Sequence, residues 1–242
     1  MFCNIDFSLI HKSELFKRND DLPKWIATVN AQFIVLANTN ERFMGILNKS
    51  HCTFDGEIPL KVARRQPEYK DAEALKGSEI IYDFIDYAKK NDLSMFLLGG
   101  KEESNTLALQ KLESEYHVKA YGFSPSYEPY PFSDDFVKQS MQRIRDARPD
   151  ILFVGFGAPK QEYFIEDHYD EFAETGVKYI IGCGGTFEFL SGTIKRAPQW
   201  VAKSGFESVY RLFQEMSVSR LKRIMESFRF LRYIKHGPDF QK

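Results

Sequence analysis

The chain has 242 residues, 43% of them hydrophobic and 28% charged, with a net charge of −1. That length suits one large α/β domain, or a domain with an appendage, and the composition is ordinary for a soluble globular protein. Three widely spaced cysteines, Cys3, Cys52 and Cys183, exclude a disulfide framework and a zinc pattern and point to a reducing compartment.

No apolar run is long enough to span a bilayer, and the N-terminus lacks the apolar core of a secretory signal. The charge is unevenly spread. From Lys195 to Lys242 there are 11 Lys/Arg against 4 Asp/Glu, so this stretch carries +7 and the rest −8. An acidic body with a basic tail implies an anionic partner for the tail: a membrane surface, phosphate or nucleic acid.

In chain order, Ile5 to Phe7 reads as a short edge strand and Ser13 to Arg18 as a helical turn or two. Trp25 to Val29 is a predicted strand. Asn30 caps a segment whose Phe33, Ile34 and Ala37 share a face, and Asn40 caps a second with Phe43, Met44 and Leu47. Cys52 to Phe54 is a short strand ending at the turn signal Asp55-Gly56. Residues 57–66 look helical. Gly77 to Lys90 is amphipathic, with Ile80, Ile81, Phe84, Ile85 and Ala88 on one face.

Met95 to Leu98 then forms a strand running into Gly99-Gly100, followed by a helix from Glu102 to about Tyr116 and a strand from Val118 to Tyr121. Phe123 to Phe132 holds three prolines and is a loop. Ser133 caps a helix to Ala147. Ile151 to Val154 and Tyr179 to Ile181 are buried-strand runs. After Pro198 the pattern is helical, over Phe206 to Glu215 and Arg220 to Lys235. The alternation predicts an α/β fold: a mostly parallel, Rossmann-like sheet with helices on both faces, plus a C-terminal helical appendage. The expected boundaries are 1–197 for the α/β domain and 198–242 for the basic appendage.

Two strand ends carry glycine turns. One is Gly155-Phe156-Gly157-Ala158-Pro159-Lys160-Gln161-Glu162. The other is Gly182-Cys183-Gly184-Gly185-Thr186. Strand, glycine turn and helix start together aim backbone N–H groups at an anion, and ligands of open α/β sheets bind at such ends. The first turn lacks the third glycine of the dinucleotide fingerprint and the spacing of a Walker A loop. Pro159 suits the start of a helix, which places Lys160, Gln161 and Glu162 on its first turn. After the second turn, Glu188 suits a sugar or ribose hydroxyl, or a capping role. Lys195 and Arg196 can neutralise phosphate or end a solvated loop. Asp20-Asp21 and Asp134-Asp135 read as solvated or capping positions. No Asp-x-Asp pattern or histidine spacing for a metal is present. On sequence alone Asp55 is more simply a turn residue than a catalytic one.

GFGAPKQEYF and GCGGTFEFLSGTIKRAPQW resemble the two signature blocks of the WecG/TagA/CpsF glycosyltransferase family. Tyr210-Arg211-Leu212, Thr28-Val29-Asn30, Asp55-Gly56 and Met95 to Gly100 fall in the same order, so the resemblance spans roughly residues 25–235. It implies an inverting transferase with no metal or cofactor. Such an enzyme moves a sugar, N-acetylmannosamine-type or a related hexose, from a UDP-sugar to a polyprenyl-diphosphate-linked sugar. It would work peripherally on the cytoplasmic face of the plasma membrane, in surface-polysaccharide synthesis, on an anionic membrane surface and without nucleic acid. A homo-oligomer is compatible with it.

The resemblance makes Asp55 the general base, with Thr28 and Asn30 as pocket neighbours. Arg211, Arg220 and Arg223 approach the acceptor diphosphate. The chain departs from the family pattern at Ala74, where an arginine is usual, at Glu188, where Asp is commoner, and at Glu215-Met216, where Glu-Pro is usual. One carboxylate at a strand end suits inverting transfer, which needs a single base. The rival readings are a nucleotide-sugar-modifying enzyme and a non-catalytic sugar-nucleotide-binding protein.

Overall fold

The computed structural model describes residues 1–195, 210 and 225–240. Its strands are β1 (Lys24–Val29), β2 (His51–Phe54), β3 (Met95–Gly99), β4 (Ala120–Phe123), β5 (Ile151–Gly155) and β6 (Tyr179–Gly182). They form one sheet in the order β2-β1-β6-β5-β3-β4. The expected mostly parallel α/β sheet is therefore what the chain forms, and the register of β4, β3, β5 and β6 is parallel throughout. Two compact units divide the chain: Met1–Lys17, Ala27–Lys76 and Arg196–Lys242 in one, Arg18–Ile26 and Gly77–Lys195 in the other.

The second unit contains the sheet's central strands. Every residue of β3 is buried, as is β5 up to Val154. Strands covered on both faces read as continuous apolar runs, which is why these segments lack alternation. Around them lie α4 (Gly77–Asn91), α5 (Glu102–Ser114), α6 (Asp134–Ala147), α7 (Lys160–Asp167), α8 (Tyr169–Glu174) and α9 (Thr186–Ser191). The expected face of α4 is buried as read, with Phe84 edge-on to Phe153 at 5.6 Å. Ser133 caps α6 by accepting from Phe136 N. Strand β4 starts two residues later than its apolar run suggests.

In this unit β3 is followed by β4 on one side, and the chain then returns to place β5 on the other. The strand order thus reverses between β3 and β5. A crevice at the carboxyl ends of such strands is where open α/β sheets bind ligands. Gly99 and Gly155 are partners in register there, and Gly100 N donates to Gly155 O at 3.1 Å.

The first unit contains α1 (Ala31–Thr39), α2 (Glu41–Lys49), α3 (Glu57–Ala63), β2 and the second half of β1. Asn30 Oδ1 accepts from Gln32 N and Phe33 N, and Asn40 Oδ1 accepts from Phe43 N, so both expected caps form. The expected strand at Ile5 to Phe7 does not form; Phe2 and Ile5 make an isolated bridge instead. Phe7 leaves that turn to stack on Phe54 at 3.9 Å. Burying this ring against another offsets the loss of strand pairing.

The C-terminal end of this unit is tied to α1. Asn38, fully buried, donates to Cys3 O at 3.0 Å, and its own carbonyl accepts from Asp239 N at 2.7 Å. Of the helix expected over Arg220 to Lys235, residues 220–224 lie outside the described residues, 225–227 are α-helical and Phe228–Ile234 is a 3-10 helix. The helix expected over Phe206 to Glu215 lies outside the described residues, apart from Tyr210, which is helical.

Candidate active site

In the first unit, Asp55 follows the last residue of β2 and precedes Gly56, which opens α3. Its N–H donates to Val29 O at 3.0 Å. That bond sets Asp55 beside the end of β1, level with Thr28 and Asn30 on either side of Val29. The backbone thus places the three residues that the resemblance grouped at neighbouring strand ends. Thr28 is buried, while Asn30 and Asp55 keep partial exposure. Both N–H groups that Asn30 receives belong to α1, so its carbonyl oxygen is committed to the cap.

One residue here was missed in the sequence. Phe54 bridges Ala74 in parallel, and Leu75 N donates to Phe54 O at 2.9 Å. The strand-like run Ala74–Lys76 thus follows β2 toward the Asp55 turn. Lys76 is only 6% exposed, and its Nζ lies 3.7 Å from Glu57 Oε1. Lys76 is thus a buried basic side chain paired with Glu57, two residues after the candidate base. Its only signal in the sequence was a lysine after an Ala-Leu pair, which propensity treats as surface.

In the second unit, the two glycine turns stand at the ends of the adjacent strands β5 and β6. Gln161 joins them. Its Oε1 accepts from Gly157 N and from Gly184 N, both at 3.0 Å. Its Nε2 donates to Glu162 Oε1 at 2.7 Å. The amide and carboxyl pack where a Cβ of Gly182 would stand, each 2.8 Å from that position. Gly182 is therefore glycine for packing, as is Gly155, whose added Cβ would meet Phe187 at 2.8 Å.

Gly157 and Gly184 differ from these. Both have positive φ, +79° and +51°, and an added Cβ at either has nothing within 4 Å. Only glycine holds such backbone without strain, and it leaves an open face over each turn. Two of the N–H groups expected to face an anion are taken by Gln161, so the turns offer these open faces rather than those donors.

Several expected ligands turn inward. Gln161, Glu162 and Thr186 are each at most 2% exposed. Thr186 Oγ1 donates to Cys183 O at 2.7 Å. Pro159 precedes α7 and caps it without a side-chain bond. Gly185 stands at the N-terminal boundary of α9. Lys160 points away from the turns: its Nζ donates to Glu128 O at 3.0 Å and sits 4.1 Å from the Tyr127 ring centroid. Tyr127 itself is 87% exposed, an aromatic face presented to solvent by the loop after β4. The sequence marked this stretch only as a proline-rich loop.

Burial pushes the Glu162 carboxyl up to about 7. Its Oε2 is sealed from solvent and has no hydrogen-bond partner, and the same holds for Glu188 Oε2. Burial also drives the Cys183 thiol well above its usual range, helped by the charges of Glu188 and Glu162. Cys183 is thus an unreactive neutral thiol in the turn. Lys195 is exposed at the end of the described body. Arg196, Arg211, Arg220 and Arg223 lie outside the described residues.

In the C-terminal segment, Leu221, Ile224, Met225, Phe228 and Leu231 follow α-helical spacing, with Phe230 and Tyr233 off that stripe. Among these, Leu221 and Ile224 lie outside the described residues. Phe230 and Tyr233 are buried, while Met225, Phe228 and Leu231 are 67%, 52% and 48% exposed. A 3-10 helix repeats every three residues, so Phe228 and Leu231 share one row and Phe230 and Tyr233 another. The second row packs inward. Arg229 and Lys235 are exposed beside the first, and Arg232 pairs with Asp239 at 3.3 Å.

The family model described as glycosyl transferase WecG/TagA/CpsF matches residues 3–237. Staphylococcus aureus proteins are among the similar relatives. The N-acetylglucosaminyldiphosphoundecaprenol N-acetyl-beta-D-mannosaminyltransferase of strain MRSA252 is 30% identical over 202 residues, 83% of this chain and 76% of that protein. The proteins of the same name from strains MW2 and NCTC 8325 / PS 47 match to the same extent.

Proposed function

The chain belongs to the glycosyl transferase WecG/TagA/CpsF family, and from that premise we propose that it transfers an N-acetylmannosamine-type sugar from a UDP-sugar to a polyprenyl-diphosphate-linked sugar. The observation that carries the substrate class is the similarity, over 83% of this chain, to relatives named for that transfer. The open glycine turns on adjacent strand ends support a diphosphate-bearing donor.

In this reading Asp55 is the base. The acceptor hydroxyl gives its proton to the Asp55 carboxylate as its oxygen attacks the anomeric carbon. The bond from that carbon to the UDP oxygen breaks on the opposite face, so configuration inverts. Asn30 and Thr28 shape the pocket beside Asp55. The donor diphosphate lies over the open faces of Gly157 and Gly184, with Lys195 and Arg196 neutralising the charge left on UDP. Glu188 accepts from a donor hydroxyl, and the exposed ring of Tyr127 offers a face for the base of the nucleotide. Arg211, Arg220 and Arg223 approach the acceptor's diphosphate. The reaction uses no metal.

The acceptor is anchored in a bilayer, so docking is part of the reading. No helix among the described residues is long and apolar enough to cross a membrane. The exposed row of Met225, Phe228 and Leu231, flanked by Arg229 and Lys235, suits peripheral attachment to the anionic cytoplasmic face. Residues 198–242 then act as the docking appendage of a body at 1–197.

The test is UDP release from a set of UDP-sugars, with and without a polyprenyl-diphosphate-linked N-acetylglucosamine. Release that needs the acceptor supports transfer. Modification of the donor without acceptor, or binding without turnover, would reject it.

A further inference from the structure

The two turns approach closely, Gly184 O lying 3.0 Å from where a Cβ of Gly155 would stand. They are joined by one side-chain oxygen, Gln161 Oε1, which accepts from both glycine N–H groups. The orientation of that amide is set in turn by Glu162, whose Oε1 accepts from Gln161 Nε2 at 2.7 Å. If the amide flipped, its NH2 would face two N–H donors and its oxygen would face the Glu162 oxygen, so the glycine N–H groups and Glu162 together fix which way the clamp faces. Gly182 leaves the space in which this pair lies.

Glu162 therefore sits one amide away from the open faces of Gly157 and Gly184. It is 1% exposed, and its Oε2 has no partner. A buried carboxylate needs a compensating charge or a proton. Lys160, two residues before it on α7, does not supply the charge, because its ammonium is held at Glu128 O. The titratable groups acting on the same pocket from the β6–α9 turn and from α9 are Cys183 and Glu188. One is a neutral thiol and the other an acid, so neither compensates an anion.

We propose that Glu162 is a positioning residue for the donor, orienting the Gln161 clamp, and that a diphosphate arriving at the two glycine faces drives a proton onto it. The proposal rests on the donor reading above. Physically, two like charges in a poorly solvated site disfavour each other, and the acid yields by binding a proton. Burial has already brought Glu162 to about 7, so the proton is available near neutrality. The proton comes from solvent, and the neutral acid still offers its carbonyl oxygen to Gln161 Nε2.

The experiment is calorimetric titration of UDP into the full chain near neutrality, in two buffers of different ionisation enthalpy. The wild type should take up a larger fraction of a proton per UDP than Glu162→Gln, which keeps an acceptor for Gln161 but cannot titrate. Infrared difference spectra of the wild type alone should show a protonated-carboxyl band growing as UDP is added. Equal proton counts in the two folded proteins, or no growth of that band, would overturn the proposal while leaving the donor reading intact. Absence of UDP binding to the wild type would overturn both.

Discussion

The backbone N–H of Asp55 donates to the carbonyl of Val29 at 3.0 Å. This one bond brings a carboxylate from the end of β2 level with Thr28 and Asn30 at the end of β1. It gives Asp55 a defined place next to a capped helix rather than in a free turn.

Asp55→Asn should therefore keep the fold and lose the reaction. The amide matches the carboxylate in shape and cannot accept the proton. Base catalysis is worth about 10²–10⁴-fold, and kcat should fall by that order while UDP affinity holds. Near wild-type turnover at saturating donor and acceptor would show that another group takes the proton.

Glu162 makes stability depend on pH. Burial raises its carboxyl from the ordinary 4.5 to about 7. Between those values the folded chain holds a proton that the unfolded chain has lost. Its contribution to stability is therefore present at low pH and declines as pH rises through this window. Glu162→Gln does not titrate, so its thermal midpoint should gain on the wild type from about pH 5 to about pH 8. Scanning calorimetry of both proteins across that range checks this; a difference that stays constant would contradict it.

Gly184→Val tests the open face of the second turn. With φ at +51° the substitution strains the backbone, yet the new side chain meets nothing within 4 Å of its Cβ. The cost to stability is about 1–2 kcal/mol for the left-handed conformation. UDP affinity should fall by about tenfold or more, equivalent to about 1.4 kcal/mol, because the side chain fills the approach. Calorimetry on the folded variant decides it, and unchanged affinity would move the diphosphate elsewhere.

The exposed row of the C-terminal segment yields a surface test. Ending the chain after Trp200 would remove Phe230 and Tyr233, which are buried, so loss of activity there would mix docking with folding. The triple variant Met225→Ser, Phe228→Ser, Leu231→Ser avoids this, since exposed substitutions cost within about 0.5 kcal/mol each. It should bind UDP like the wild type and co-sediment less with vesicles containing phosphatidylglycerol. Wild-type binding should weaken as salt rises, because the basic residues act through a screened attraction. Equal sedimentation of the two proteins would remove this row from docking.

Local chemistry alone determined much of this protein. Asn30, Asn40 and Ser133 are short polar residues ahead of apolar periodic segments, and each caps the helix expected of it. The runs at Met95, Ile151 and Tyr179 are strands because β-branched, aromatic and apolar residues there end at glycines. The paired glycine turns were visible for the same reason, and so was the family that their motifs resemble. What tertiary structure decided depends on partners distant in sequence. Gly184 meets Gln161 across 23 positions, and Gly99 faces Gly155 only because the strand order reverses between β3 and β5. Lys160 turns toward Glu128, which no spacing encodes. In the C-terminal segment both rows are apolar enough to bury. The pattern there does not choose, and packing against α1, with Asn38 holding the chain end, turns Phe230 and Tyr233 inward and leaves Phe228 and Leu231 outside.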